Sequence, residues 1–295
     1  MNRILLIGHD GQVGHELKRT LSSLGEVLAP TMESFDLCNS AQIRDYIRST
    51  APQIIVNAAA YTAVDLAESD DETAMRVNGI APGILAEEAK QLNALLIHYS
   101  TDYVFDGTNN RPYSETDLPN PQGVYGKTKL AGEQAIEKVG GRYFIFRTSW
   151  VYGLHGKNFL KTILRVAQEK RELRIVDDQL GCPTWSRLIA EVTAQVLAQQ
   201  LNQNSNNNDQ YGVYHLTSNN YTSWFKFATQ FLEMDPMQDK HQYTAVTPIT
   251  TQEYPTPAKR PMYSVLSTDK LCKSFNLTMP SWEDNLQLAL DADAQ

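Results

Sequence analysis

Short runs of apolar residues alternate along the chain with longer stretches in which apolar residues recur every three or four positions. The compact apolar runs predict buried β-strands, and the amphipathic stretches predict helices. The predicted helix over 71–93 is expected to kink near Pro82, because proline lacks the N–H that a helix interior needs. Up to residue 153 the predicted strands are 3–8, 26–30, 53–60, 94–101 and 142–150, and the predicted helices are 12–25, 41–52, 71–93 and one that begins near Tyr125.

The order of these elements predicts the fold class. Strands that are apolar throughout, with helices between them, are typical of parallel strands covered on both faces. The sequence therefore predicts an α/β fold, a doubly wound parallel Rossmann sheet with a smaller α/β C-terminal domain. The first domain is predicted over 1–153, and 154–295 largely forms the second, with about 174–217 partly returning to the first. The later predicted elements are helices 158–170 and 186–201, strands 173–178 and 211–217, and an Asn-rich loop at 202–210.

Composition narrows the class of partner. The net charge is −8 and the isoelectric point about 5.3, with no basic block, which argues against nucleic acid and anionic membranes. No apolar run approaches the ~18–20 residues of a membrane span, and the N-terminal apolar run is too short for a signal peptide. The cysteines Cys38, Cys182 and Cys272 form no paired motif, which fits a reducing compartment. We therefore expect a cytoplasmic protein.

A glycine-rich turn, "IGHDGQVGHEL", follows the first predicted strand and opens the first predicted helix. Gly8, Gly11 and Gly14 allow a tight turn and a close approach of the backbone to a diphosphate, and the helix N-terminus supplies N–H donors. In the first βα turn of a parallel sheet, this pattern predicts a dinucleotide cofactor.

The adenosine end of that cofactor is less defined. An acidic residue that binds the adenosine ribose commonly ends the second strand of such folds. Thr31 stands there instead, Asp36 follows, and no Arg lies nearby to hold a 2′-phosphate. The sequence therefore leaves NADH and NADPH open.

The segment "YGKTK" places Tyr125 and Lys129 on one face of the predicted helix. A nearby ammonium stabilises a phenolate and so lowers the pKa of the phenol, which suits it to proton transfer near neutral pH. Ser100 or Thr101, at the carboxyl end of strand 94–101, is placed to hydrogen-bond a carbonyl, because ligands of such sheets bind at that edge. Together with the glycine turn, these residues predict a carbonyl reductase.

Six motifs make the chain similar to the extended short-chain dehydrogenase/reductases, and within them to the dTDP-4-dehydrorhamnose reductases. They are "GxxGQVG" at 8–14, "VNAAAYTAVDLAE" at 56–68, "STDYVFDG" at 100–107, "YGKTKLAGE" at 125–133, "RTSWVYG" at 147–153 and "YPTPAKRPMYSVL" at 254–266. The resemblance implies NAD(P)H-dependent reduction of the 4-keto group of dTDP-4-dehydro-L-rhamnose. That reaction is the last step in making dTDP-L-rhamnose for surface polysaccharide such as lipopolysaccharide O-antigen.

The same resemblance implies roles for individual residues. Thr101 would orient the ketone oxygen, Tyr125 would supply its proton, and Lys129 would bind the nicotinamide ribose and lower the pKa of Tyr125. Asp102, Tyr103 and Trp150 would line the sugar pocket, and Arg260 would clamp the nucleotide diphosphate. The implied cofactor-binding residues are Gly8, Gly11, Gln12, Val13, Gly14, Thr31, Asp36, Leu37, Ala59, Ala60, Tyr61, Tyr125 and Lys129.

Several alternatives stay open at this stage. Another nucleotide-sugar reductase or an epimerase would carry the same Tyr–Lys pair, and the family also includes a non-catalytic regulatory subunit of methionine adenosyltransferase. Some family members bind Mg²⁺, but the sequence has no cluster with metal-ligand spacing, so no metal is predicted. The sequence does not define the oligomeric state, and a homodimer is compatible with it.

Overall fold

The computed structural model describes residues 1–202 and 210–293. Most of the predicted Asn-rich loop therefore lies outside the described residues.

A six-stranded parallel sheet forms the centre of the molecule, with the spatial order β10-β5-β4-β3-β1-β2. The chain moves to one side of β1 for β2 and to the other side for β3, so the direction of winding switches between β1 and β3. In doubly wound sheets, ligands bind at the carboxyl ends of the strands beside such a switch. The strands are β1 (Arg3–Ile7), β2 (Glu26–Leu28), β3 (Ile54–Asn57), β4 (Leu95–Thr101), β5 (Arg142–Thr148) and β10 (Gly212–His215).

Helices cover both faces of this sheet, as the predicted fold class requires. Alternate strand residues enter different cores: Ile4 and Leu6 pack on one face, while Leu5 and Ile7 pack on the other. Apolar residues of α1 and α8 share the first core, and those of α2, α5 and α6 share the second. The bounds are α1 (Gln12–Leu21), α2 (Ser40–Thr50), α3 (Val64–Ala67), α4 (Asp71–Met75), α5 (Ala81–Gln91), α6 (Val124–Val139) and α8 (Ser186–Asn202).

The predicted single helix over 71–93 is divided into two helices, not merely kinked at a proline. A π-helical turn at Arg76–Ile80 separates α4 from α5, and Pro82 lies in the first turn of α5. Proline has no N–H to donate to the carbonyl four residues back, which here is Asn78, and its ring crowds that carbonyl. The wider turn places the Asn78 side chain against Tyr61, from whose N–H it accepts at 2.9 Å.

The rest of the chain builds a smaller region beside the sheet. The predicted strand 173–178 does not join the central sheet, since β7 pairs with β12, while the predicted strand 211–217 does join it as β10. The proposed division into two domains stays a prediction. The remaining elements are β6 (Val151–Tyr152), α7 (Phe159–Ala167), β7 (Glu172–Val176), β8 (Leu180–Gly181), β9 (Thr184–Trp185), β11 (Thr222–Ser223), α9 (Trp224–Met234), β12 (Ala245–Ile249), α10 (Asp269–Phe275) and α11 (Trp282–Asp293).

Candidate active site

The glycine turn closes tightly between β1 and α1. Gly8 has a φ of +78°, and a Cβ there would lie 2.7 Å from the backbone nitrogen of Ala59. A Cβ on Gly14 would lie 1.9 Å from the carbonyl oxygen of Gly8, so a side chain at either position requires the backbone to move. Gly11 caps α1 without a side-chain hydrogen bond, and the first turn of α1 has no acidic residue. No side chain therefore competes for the N–H groups at the start of α1, as an anion-binding turn requires.

A cavity of about 450 Å³ extends from this turn to the carboxyl ends of β4 and β5. A second cavity of about 300 Å³ continues past β3 toward the loop after β2. Thr31 lines neither, although the next residue, Met32, lines both. The predicted cofactor residues on the first cavity are Gly8, Gly11, Gln12, Val13, Ala59, Ala60, Tyr125 and Lys129. Those on the second are Gly8, Asp36, Leu37, Ala59, Ala60 and Tyr61.

The first cavity also carries two buried hydroxyls without partners. Ser100 Oγ and Thr148 Oγ1 are buried and form no hydrogen bond within the part of the chain that the structure describes. Both residues line this cavity at the strand ends. Buried polar groups ordinarily have partners, so these two hydroxyls fit a ligand with polar edges, such as the nicotinamide end of a dinucleotide.

Lys129 lies on α6 with its side chain buried over β4. Its Nζ donates to the carbonyl oxygen of Tyr99 at 2.6 Å and lies 3.4 Å from Nε2 of His98. Burial lowers the pKa of Lys129 to about 8, although the negative charge of Glu133 acts to raise it. Burial also holds the pKa of His98 well below its ordinary value, and the Lys129 charge adds to that shift.

Tyr125 is the second residue of α6, one turn before Lys129. Burial raises the pKa of its phenol to about 12; a hydrogen bond with Thr101 lowers it, and the charge of Asp102 raises it. This direction is the reverse of the one predicted from the Tyr–Lys spacing, because burial of the phenol dominates its pKa. The ring of Tyr103 meets the ring of Tyr125 edge-on, with centroids 5.7 Å apart.

Thr101 and Asp102 lie where β4 ends and a 3-10 turn begins. The Thr101 hydroxyl donates to Oδ1 of Asp102 at 3.0 Å and accepts from the N–H of Tyr103 at 3.2 Å. Ser149 donates to Oδ2 of Asp102 at 2.9 Å. Asp102 is only 2% exposed, and its carboxyl accepts from two protein hydroxyls. Its role in lining the sugar pocket stays a prediction. Burial raises the pKa of Asp102 to about 6, although its hydroxyl donors act in the opposite direction.

Trp150 adopts a left-handed backbone conformation, with a φ of +45°. Its indole stacks on Trp224 with ring centroids 3.5 Å apart and an interplanar angle of 7°. Gly181 permits this placement, because a Cβ there would lie 2.4 Å from the indole. A non-glycine residue in this conformation costs about 1–3 kcal/mol and is concentrated at functional sites. The backbone here holds a flat aromatic surface in place.

Arg260 and Trp224 both line a third cavity, of about 300 Å³, between β7, α7 and the loop that carries Arg260. The Arg260 guanidinium forms a two-pronged ion pair with Asp65, at 3.1 and 2.9 Å. This pair lowers the pKa of Asp65. The other lining residues are Phe159, Thr162, Ile163, Arg174, Ile175, Val176, Gln179, Tyr254 and Thr256.

Neither a metal site nor a membrane span is found in the described ranges. No group of three or more His, Cys, Asp or Glu side chains within 1–202 and 210–293 is arranged to hold a metal ion. No helix in the same ranges is long and apolar enough to cross a membrane.

The parallel sheet, the glycine turn at its switch point and the Tyr–Lys pair over the strand ends define a Rossmann-type protein of the short-chain dehydrogenase/reductase class. More specifically, the chain belongs to the RmlD substrate binding domain family, whose model matches residues 1–294. The resemblance and the fold class predicted from the sequence are both confirmed.

Several similar proteins are named dTDP-4-dehydrorhamnose reductase. The dTDP-4-dehydrorhamnose reductase of Burkholderia thailandensis is 45% identical over 283 residues, which are 95% of this chain and 95% of that protein. The solved dTDP-4-dehydrorhamnose reductase of Clostridium acetobutylicum superposes with a TM-score of 0.91 and 35% identity, covering 99% of this chain and 100% of that one. The reductase of Bacillus anthracis, solved in complex with NADP, superposes with a TM-score of 0.88 and 33% identity, covering 99% of both chains.

The structure adds residues that sequence reasoning missed. Trp224 and Phe159 come from α9 and α7, and no local pattern marks them as parts of the third cavity. Gly156 and Lys157 line the first cavity from the loop after β6. Both residues follow the carboxyl end of a central strand in the sequence. Because the loops at that edge of such sheets bind the ligands, this position could have indicated them.

Proposed function

We propose that this protein reduces the 4-keto group of dTDP-4-dehydro-L-rhamnose to give dTDP-L-rhamnose, using NADPH or NADH. The observation that carries the proposal is the cluster of Tyr125, Lys129 and Thr101 at the strand ends, next to a cavity that begins at the glycine turn. The identity of the nucleotide sugar is inferred from the family and from the reductase names of similar chains. When bound, the reduced nicotinamide supplies the hydride.

Within this proposal, Tyr125 gives its phenol proton to the ketone oxygen. The Thr101 hydroxyl is hydrogen-bonded to the phenol and donates to Asp102, so it fixes where the phenol points before substrate arrives. The Lys129 ammonium, held over β4, binds the ribose hydroxyls and stabilises the phenolate that forms as the proton leaves. A phenol with a pKa of about 12 keeps its proton at neutral pH until the substrate oxygen becomes basic.

The substrate lies, in this proposal, between the strand ends and the third cavity. The stacked pair of Trp150 and Trp224 offers an apolar surface for a sugar or base, and Arg260 offers a fork of donors to the diphosphate. Asp65 holds that fork in place before the ligand binds. Such an arrangement places the C4 carbonyl by contacts at both ends of the substrate.

The decisive experiment follows the absorbance of the reduced nicotinamide with dTDP-4-dehydro-L-rhamnose, using NADH and NADPH in separate reactions. The variant is Y125F, and the matched control is Y221F, because Tyr221 is 51% exposed. We expect wild type and Y221F to oxidise the cofactor and Y125F to lose turnover while still binding it. Interconversion of nucleotide sugars without net cofactor oxidation would identify an epimerase. No turnover despite binding of both ligands would favour the non-catalytic alternative.

Three further properties stay predictions. A homodimer is compatible with the exposed apolar residues Met75 and Ile80 on neighbouring turns, and light scattering of the purified chain tests it. The cytoplasmic location follows from sequence composition and is tested by fractionation. Magnesium dependence is tested by adding a chelator to the turnover assay, with no effect expected.

A further inference from the structure

The loop over residues 153–158 is fastened to the glycine turn by several contacts. His155 Nε2 lies 2.8 Å from the carbonyl oxygen of Asp10, and the His155 ring stacks on His15 with centroids 4.2 Å apart. Asn158 Nδ2 donates to Oε1 of Gln12 at 2.8 Å. These contacts hold the residues before and after Lys157 in the sequence against the turn that begins α1.

Lys157 lines the first cavity from this loop. Among the described residues on that cavity, the charged side chains are Asp10, Lys129 and Lys157. Lys129 is buried at the far end, over β4, with its ammonium on the Tyr99 carbonyl. Lys157 is therefore the cation at the glycine-turn end, and it forms no ion pair within residues 1–202 and 210–293.

We infer that Lys157 binds the diphosphate of the dinucleotide and that the contacts of His155 and Asn158 position it for this. This inference rests on the proposed function, since it needs a dinucleotide in the first cavity. The α1 N-terminus offers N–H groups to the first cavity, and Lys157 offers a positive charge to the same cavity. The charge also offsets the repulsion that the Asp10 carboxylate and the net charge of −8 exert on an anionic cofactor.

The experiment measures the Kd of NADPH and of NADH for the full chain by titration calorimetry at two salt concentrations. The variants are K157Q and K157R, and the control is K18Q, which removes one exposed charge from α1 away from the cavity. We expect K157Q to raise the Kd of both cofactors by about 3- to 20-fold and to make affinity less sensitive to salt. K157R should bind nearly as well as wild type, and K18Q should match wild type.

A comparison of NADPH with NADH shows which phosphate group of the cofactor Lys157 contacts. Equal weakening of NADPH and NADH supports the diphosphate, which both carry. Weakening of NADPH alone overturns the assignment and places Lys157 at the 2′-phosphate. An unchanged Kd for both in K157Q, with normal binding by wild type, overturns the inference and leaves the proposed function standing. Failure of wild type to bind either cofactor overturns both.

The positioning role of His155 is tested separately from the charge of Lys157. H155A removes the hydrogen bond to Asp10 and the stack on His15 while Lys157 stays in place. We expect a smaller rise in Kd than for K157Q, and a double variant that binds no more weakly than K157Q alone. An H155A effect that adds fully to that of K157Q would show that the loop contacts act independently of Lys157.

Discussion

The Thr101 hydroxyl donates its one hydrogen to the buried carboxyl of Asp102, over 3.0 Å. A hydroxyl has one hydrogen to donate; the Thr101 oxygen also accepts from the Tyr103 N–H, and a hydrogen bond between Thr101 and Tyr125 lowers the pKa of the phenol. The hydrogen of the Thr101 hydroxyl is therefore committed to Asp102, and it reaches a substrate ketone only after this network rearranges. The buried carboxyl of Asp102 therefore determines which way the Thr101 hydroxyl points.

The first prediction concerns the charge on Asp102. Its pKa rises from 3.8 to about 6 in the folded protein, so the folded state binds more protons than the unfolded state between those values. The contribution of Asp102 to the free energy of unfolding falls as pH rises through this window and is constant above it. D102N cannot titrate, so we expect its stability relative to wild type to grow by up to ~3 kcal/mol between about pH 4 and pH 6.

Denaturant unfolding of both proteins at several pH values measures this difference, and other titrating groups cancel in the comparison. Asparagine still offers an oxygen to Thr101, so D102N should keep more turnover than D102A. A stability difference that does not vary between about pH 4 and pH 6 would contradict the raised pKa of Asp102.

The second prediction concerns the buried ammonium of Lys129, whose pKa is lowered from 10.5 to about 8. The unfolded state binds more protons between these values, so the stability of wild type rises with pH through that window. K129M has no such charge to bury, although it leaves the Tyr99 carbonyl without its donor. At neutral pH we expect K129M to be as stable as wild type or more so, and to lose that advantage by up to ~3 kcal/mol as pH approaches 10.

The same variant should lose at least ~100-fold in turnover, because the phenolate of Tyr125 loses its stabilising charge. K127M is the matched control, since Lys127 is an exposed lysine on the same helix. It should change neither turnover nor the pH dependence of stability. A large loss of stability in K129M at neutral pH would show that the ammonium is structural.

The local parts of this site could be predicted from the sequence. Gly8 and Gly14 belong to one turn, and Tyr125 and Lys129 belong to one helix face, so short-range spacing determines their geometry. The direction of the Tyr125 shift in pKa could not be predicted, because it depends mainly on how deeply the phenol is buried. The pairing of Trp150 with Trp224 also has no local signal, since packing between distant segments creates it.

The third prediction tests the surface formed by that pair. In G181A the new methyl group would overlap the Trp150 indole, with 2.4 Å between the Cβ and a ring carbon. Overpacking of this kind costs about 1–3 kcal/mol, and the indole must leave its stack on Trp224. We expect a lower melting temperature and a raised KM for the nucleotide sugar. The Kd of NADPH serves as the internal control, because Gly181 does not line the first cavity; an equal loss in both affinities would indicate general disorder.

The last prediction concerns Arg260, whose guanidinium is held by Asp65 through two hydrogen bonds. Loss of hydrogen bonds to a charged diphosphate costs about 1.5–3 kcal/mol, so R260Q should raise the KM for the nucleotide sugar by roughly 10- to 100-fold. R260K keeps the charge but loses the planar fork, so its KM should stay well above that of wild type. D65N should give a smaller rise, because it frees the guanidinium without removing it. Since Arg260 and Asp65 lie off the first cavity, cofactor Kd should be unchanged in all three variants. A KM for R260Q equal to that of wild type would place the diphosphate of the sugar nucleotide elsewhere.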